Sequence, residues 1–261
     1  VQPAGKKPMA IQSFLNGHPL QVGDRFFIES WGKMFFWDIS MIILIPGLLL
    51  AMYAQAKVSS TYNRYKKVTS HSGYTGAQFA RKMLNDNGLY DVTITQISGR
   101  MSDHYDPRAN QVRLSAEVYN GTSIASLGIA AHEVGHAVQH ATNYFPLTVR
   151  NLVVPVTNFS SSIYMLLIFL GIIMNSFSMI QFGIMLFAVI VIFQVITLPV
   201  EFNASRRAIA TLGGDGVLDA EELSGAKRVL GAAAMTYVAA MVTAVLQLLQ
   251  LLMVFGGHND D

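Results

Sequence analysis

Four blocks of apolar residues, each about long enough to cross a bilayer, constrain this chain more than any other feature of its sequence. Inside a membrane no water is available to the backbone, so a crossing segment must pair its own N–H and C=O groups, as a helix does. At about 1.5 Å rise per residue, roughly 20 apolar residues span the hydrocarbon core. The blocks run from Ile39 to Ala56, Leu152 to Met174, Met179 to Val200 and Gly231 to Phe255. Four spans is therefore the expected count, the first being the shortest. Pro46–Gly47 is expected to kink that first helix, and Phe35, Phe36 and Trp37 before it read as an interfacial anchor. Pro155 and Ser160–Ser162 predict that the second span enters the membrane late.

Composition narrows the functional classes. Only 13% of the residues are charged, against about a quarter in an ordinary soluble domain. A formal charge of +2 is too small to make nucleic acid a partner; the expected partners are the lipid bilayer and a protein or peptide. The chain has no cysteine, which excludes disulfides, thiolate metal sites and a cysteine nucleophile. Any metal must be held by His, Asp or Glu, and that favours zinc or another divalent ion.

The chain divides at these composition changes. Residues 1–33 are a polar extension, or an addition ahead of a native start at Met34. Residues 34–56 hold the first span, 57–150 a unit of soluble composition, 151–200 two spans, 201–231 a second polar segment, and 232–261 the last span and tail. Within the soluble unit, Phe79, Ala80, Met83 and Leu84 share one helical face, and Asn87–Gly88 supplies its C-terminal cap. Val92, Ile94 and Ile97 mark one strand and Gln111 to Ser115 another. The turn-rich Ser102 to Asn110 is expected to join the two as a hairpin. Thr122 or Ser123 then caps a helix running through SIASLGIAAHEVGHAVQHA. Segments 57–150 and 201–231 fall on one side of a four-span topology and carry fourteen of the eighteen Lys and Arg residues. The positive-inside rule makes that side cytoplasmic and both termini external.

His132-Glu133-Val134-Gly135-His136 carries the chemistry. Residues four apart share a helix face, so both imidazoles can reach one metal ion. Glu133, beside the first ligand, is placed to take a proton from water that the metal has acidified. A catalytic zinc site needs a third protein ligand and an open fourth position. His140 is not that ligand: eight residues of unbroken helix rise about 12 Å. Glu201, at the end of the third span and on the same side as the helix, is the better choice. The residues alone leave Asp103, Asp106 and Glu117 open as competitors, although Asp103 and Asp106 also suit a turn.

AAHEVGHAVQHA and EFNASRRA, with FFWDISMIILIPGLLLAMYAQ, GLYDV and SDHYDPR…VRLS, resemble the bacterial neutral zinc metallopeptidases of the YugP-like type. The likeness covers roughly residues 34–255. It extends more loosely to membrane zincins of the CAAX-protease and heat-shock-protease type. The resemblance implies a mainly α integral membrane protein with about four transmembrane helices and a cytoplasmic zincin-like α+β catalytic domain. It implies the bacterial inner membrane, a site facing the cytoplasm, Zn2+ held by His132, His136 and Glu201, and Glu133 as general base. Those relatives place an Asp four residues after the third ligand, where this chain has Ser205. Asn203 or a residue elsewhere is then the expected support for an imidazole. The resemblance also implies a substrate-pairing edge strand, for which Gln111 to Ser115 is the candidate; the reaction needs an oxyanion donor as well, for which His104, Tyr105 and Arg207 are candidates. The alternative function is a non-catalytic zinc-binding membrane scaffold. Small residues at Ala232, Ala233, Ala234, Ala239 and Ala240 offer a close-packing face to the protein's own spans, a partner membrane protein or a second copy.

Overall fold

The computed structural model describes residues 40–214 and 216–256. The extension 1–33, the aromatic anchor at residues 35–37 and the tail 257–261 lie outside the described residues. The described chain forms seven α-helices and three short strands. They are α1 (Ile45–Tyr65), α2 (Gly76–Asp86), β1 (Thr93–Ile97), β2 (His104–Asp106), β3 (Gln111–Ser115), α3 (Ala116–Tyr119), α4 (Ile124–Ala141), α5 (Phe145–Ile173), α6 (Phe177–Gly214) and α7 (Ala220–Phe255). Four of the helices are long and apolar enough to cross a membrane: Ile42–Tyr65, Phe145–Ile173, Phe177–Gly214 and Ala220–Phe255.

Local chemistry explains where the helices begin and end. The Thr75 hydroxyl accepts from the Gln78 N–H while the Gln78 side chain accepts from the Thr75 N–H, a reciprocal cap on α2. Gly88, at φ +73°, follows that helix in a left-handed conformation that costs glycine little. Ser123 caps α4 by accepting from the Ser126 N–H. Pro46 does not kink α1 from within. A 3-10 turn at Ile42–Leu44 precedes it, and Pro46 stands in the first turn of the α-helix, where its missing N–H breaks no helical bond.

The long helices lie side by side in the order α5, α6, α7, α1, each packed on the next. The polar segment after the third span is mostly helix. α6 carries on past Glu201 to Gly214, and α7 begins at Ala220. Above one end of this layer sits a dense unit of α2, the strands, α3, α4 and the polar ends of α6 and α7. Phe79, Leu84, Val112, Leu114, Leu127, Val134 and Leu212 are fully buried together there. Each such side chain removed from water contributes about 1.5–3 kcal/mol. Ala232, Ala234 and Ala239 of α7 are buried within the chain itself, whereas Ala240 is exposed.

The sheet corrects the hairpin expectation. The order is β1-β3-β2, with β1 parallel to β3 and β2 antiparallel to it. The turn-rich segment thus supplies a strand of its own, and Asp106 closes the tight turn to β3 by accepting from the N–H groups of Arg108 and Ala109. Gln111–Ser115 is consequently the central strand, paired on both sides, and is not the edge assigned from the resemblance. The edge beside α4 is β2.

Candidate metal centre

α4 and α6 create the site because they come unusually close. A Cβ at Gly135 would stand 2.8 Å from the Ala204 carbonyl oxygen and 3.2 Å from its Cα. Any larger residue would push the helices apart. With Gly135 in place, the face of α4 carrying the two histidines meets Glu201. His132 Nε2 lies 3.3 Å and His136 Nε2 3.6 Å from Glu201 Oε2. The two imidazoles stand edge to face with centroids 4.7 Å apart.

Three donor atoms at these separations suit one ion. In a tetrahedron with metal–ligand bonds of about 2.0–2.1 Å, ligand atoms sit about 3.3 Å from each other. Glu201 is 3% exposed, and its Oε2 is buried without a hydrogen-bond partner. An unsatisfied buried carboxylate oxygen is costly, and a cation between it and the imidazoles removes that cost. The donor set of two nitrogens and one oxygen is one that zinc accepts.

Hydrogen bonds behind the rings orient them. His132 Nδ1 lies 3.2 Å from Ser205 Oγ, and His136 Nδ1 lies 3.0 Å from Gln139 Oε1. Gln139 is fully buried, and its amide donates to the Val200 carbonyl at 2.8 Å and to Asn203 Oδ1 at 3.0 Å. With its NH2 so committed, only its oxygen faces His136. The Nδ1 proton is then held toward Gln139, and the Nε2 lone pair faces Glu201. Arg207 Nε–H also donates to Asn203, at 2.9 Å. Ser205 thus takes the place in which the loosely similar peptidases put a carboxylate. Gln139, which no sequence signal singled out, supports the second ring.

Glu133 is 8% exposed and lines a cleft of about 150 Å³ together with His132, Glu201 and Ser205. Its Oε2 accepts from the backbone N–H of Tyr105 at 3.0 Å, so the outer edge of β2 holds the carboxylate in position. Val58 and Tyr62 of α1 and Val229, Leu230, Ala233, Ala234 and Tyr237 of α7 form the opposite walls.

The other candidates lie elsewhere. Asp103 borders the cleft but accepts from the Ser115 N–H and hydroxyl. Asp106 is occupied by its turn and by Arg113, 3.0 Å away. Its carboxyl is held below the usual range, first by the Ala109 N–H and also by the Arg108 N–H and Arg113, against an opposing effect of desolvation second only to the Ala109 hydrogen bond. Glu117 accepts from the Tyr62 hydroxyl. His140 lies outside the three-ligand group and bonds the Tyr105 hydroxyl at 2.9 Å. None of His104, Tyr105 and Arg207 lines the cleft; Tyr237 does, facing the Glu133 and Glu201 carboxylates.

Comparison with known proteins agrees with this chemistry. A family model described as "Putative neutral zinc metallopeptidase" matches residues 40–256. The "Putative membrane protease YugP" of Bacillus subtilis (strain 168) is 45% identical over 221 residues, covering 85% of this chain and 98% of that protein. No solved structure matches.

Proposed function

Because the chain belongs to the neutral zinc metallopeptidase family, we propose that it hydrolyses peptide bonds at the His132–His136–Glu201 centre, with Glu133 as general base. The observation that carries this reading is the convergence of three ligand atoms, one of them an unpartnered buried oxygen, at a cleft that also holds a buried carboxylate. A zinc ion held by His132, His136 and Glu201 would acidify water and polarise a carbonyl group. Glu133 takes a proton from the attacking water at its carboxylate and passes it to the nitrogen of the departing amine. The Tyr105 N–H fixes that carboxylate while it exchanges the proton. Tyr237 offers its hydroxyl hydrogen to the substrate oxygen as negative charge develops there. Substrate backbone meets the outer edge of β2 by donating to the Tyr105 C=O, the Tyr105 N–H being held by Glu133, in place of the edge first assigned to Gln111–Ser115.

A purely structural metal site usually fills all four positions with protein groups. Three groups converge here among the described residues, and the fourth direction is the cleft, which favours turnover over a scaffold. By the positive-inside rule, the cleft in this reading opens on the cytoplasmic side of the bacterial inner membrane. The test is to purify the protein in detergent and to measure bound metal and casein cleavage together. Glu133→Gln is expected to keep about one zinc and lose cleavage by roughly 10²–10⁴-fold. Glu201→Ala is expected to lose both. Wild type that binds no zinc at neutral pH would overturn the proposal.

A further inference from the structure

The cleft has one unusual wall arrangement. α1 and α6 both line it, yet they form no packed interface with each other; each packs on α7. The cleft is therefore the gap between two membrane-spanning helices, floored by a third and roofed by α4. Its depth follows from the helix lengths. Measured from the end of the layer remote from the metal centre, Glu201 lies about 36 Å up α6 from Phe177, Tyr237 about 27 Å up α7 from Phe255, and Val58 about 24 Å up α1 from Ile42. A hydrocarbon core is about 30 Å thick. The metal ligands thus sit at the membrane surface, as does Val58, which follows Lys57 at the end of the first apolar block, while Tyr237 stands within the apolar slab.

Helical periodicity extends the floor below the metal centre. Ala233, Tyr237, Ala240 and Ala244 recur at spacings of four, three and four, on one face of α7. Ala233 and Tyr237 line the cleft, Ala240 is exposed, and Ala244 is covered by Phe187 and Val191. The open length from Ala233 to Ala240 is about 10 Å of helix, enough for about three residues of extended chain. Gln194 of α6, seven residues before Glu201 and so on the same face, offers a polar group along this length. An unwound backbone inside the slab needs such partners.

Resting on the peptidase reading above, we propose that this groove receives membrane-anchored polypeptides sideways from the bilayer between α1 and α6. The end of a substrate's spanning segment unwinds over Ala240, and its first residues beyond the membrane reach the metal centre. The substrate class is polypeptide cleaved at the boundary of a transmembrane segment.

Because the chain has no cysteine, single cysteines report cleanly. Ala240→Cys lies in the groove, and Ile192→Cys is exposed at the same depth, about 22 Å up α6 from Phe177, on the face away from Gln194. Each is placed in the Glu133→Gln background, labelled with benzophenone maleimide, and illuminated in liposomes with a peptide fused to a transmembrane helix. Cross-linking of that substrate at Ala240→Cys, at least about tenfold over Ile192→Cys, is expected. Wild type is expected to cleave the anchored peptide at least about tenfold faster in kcat/KM than the same peptide without its anchor. Equal cross-linking at both positions, cross-linking to lipid alone, or equal cleavage of both peptides overturns the groove. Wild type that cleaves neither peptide overturns the peptidase reading instead, and the cross-link still decides the groove.

Discussion

The dense unit around α4 and the layer of long helices bury their apolar residues to very different extents. In the unit, Phe79, Leu84, Leu114, Leu127 and Val134 are wholly enclosed. In the layer, buried clusters are as small as Ile168, Ile180 and Ile184, while Leu152 is 78% exposed and Met253 66%. The first region is held together by exclusion of water. Lipid solvates the second, so packing among the spanning helices gains little from hydrophobicity. The three candidate metal ligands, His132, His136 and Glu201, come from helices that pass through the dense unit. The layer contributes the wall and floor of the cleft. On the proposed peptidase function, rigidity for ligand geometry and access for substrate are thus assigned to different parts of the molecule.

The sharpest way to break that comparison is a matched pair of truncations. Leu127→Ala is expected to cost about 2–5 kcal/mol, because the enclosing residues cannot collapse into the space left. Leu152→Ala is expected to change stability by less than about 0.5 kcal/mol. Thermal unfolding in detergent micelles measures both. Similar losses at the two positions would mean that Leu152 is packed against protein.

The layer's one proposed chemical contribution is Tyr237. Removing a single oxyanion donor typically lowers kcat by about 10²–10³-fold. Tyr237→Phe is expected to do so with KM and bound zinc unchanged. A loss of zinc in the same variant would show that Tyr237 serves the ligands and not the reaction. Gln139→Leu tests the opposite side of the comparison. It removes the acceptor behind His136 from within the dense unit, and zinc affinity is expected to fall about 10–100-fold, read by competition with a chelator. Unchanged affinity would mean that the ring is held by packing alone.

What the sequence disclosed follows the same division. Periodicity and apolar length are local properties, so the four long helices, the α2 face and its cap, and the Ser123 cap were legible. The spacing of His132 and His136 is local as well. Glu201 needed topology and the family resemblance, because a carboxylate at the end of a span has several ordinary explanations. The strand order was not legible. A turn-rich stretch such as Ser102–Asn110 signals reversal, but nothing local states that three of its residues pair with β3 and displace β1 to the far side. Gln139 and Tyr237 were hidden for a related reason. A glutamine on a helix usually faces solvent, and only the close docking of α6 at Gly135 buries this one. A tyrosine within an apolar block carries no mark of the helices that will face it.

The weakest expected effect concerns the latch between the two regions. The Tyr62 hydroxyl, on α1 of the layer, donates to Glu117 of the dense unit at 2.6 Å, and Lys66 stands 3.6 Å from the same carboxylate. The Tyr62 hydrogen bond first, and then Lys66 and Arg100, hold the Glu117 carboxyl below its ordinary 4.5, against some opposing desolvation. A depressed carboxylate contributes stability above its unfolded value and loses it as pH falls through the folded one. The contribution is therefore present at pH 7 and vanishes in acid. The Glu117 side chain is 52% exposed, so screening by water keeps the contribution to a fraction of about 1 kcal/mol. Glu117→Gln is expected to melt about 1–2 °C below wild type at pH 7. The gap should close at a pH below the folded value, both proteins being compared without metal so that ligand protonation does not enter. A gap that persists unchanged in acid would mean that the latch acts through shape and not through charge.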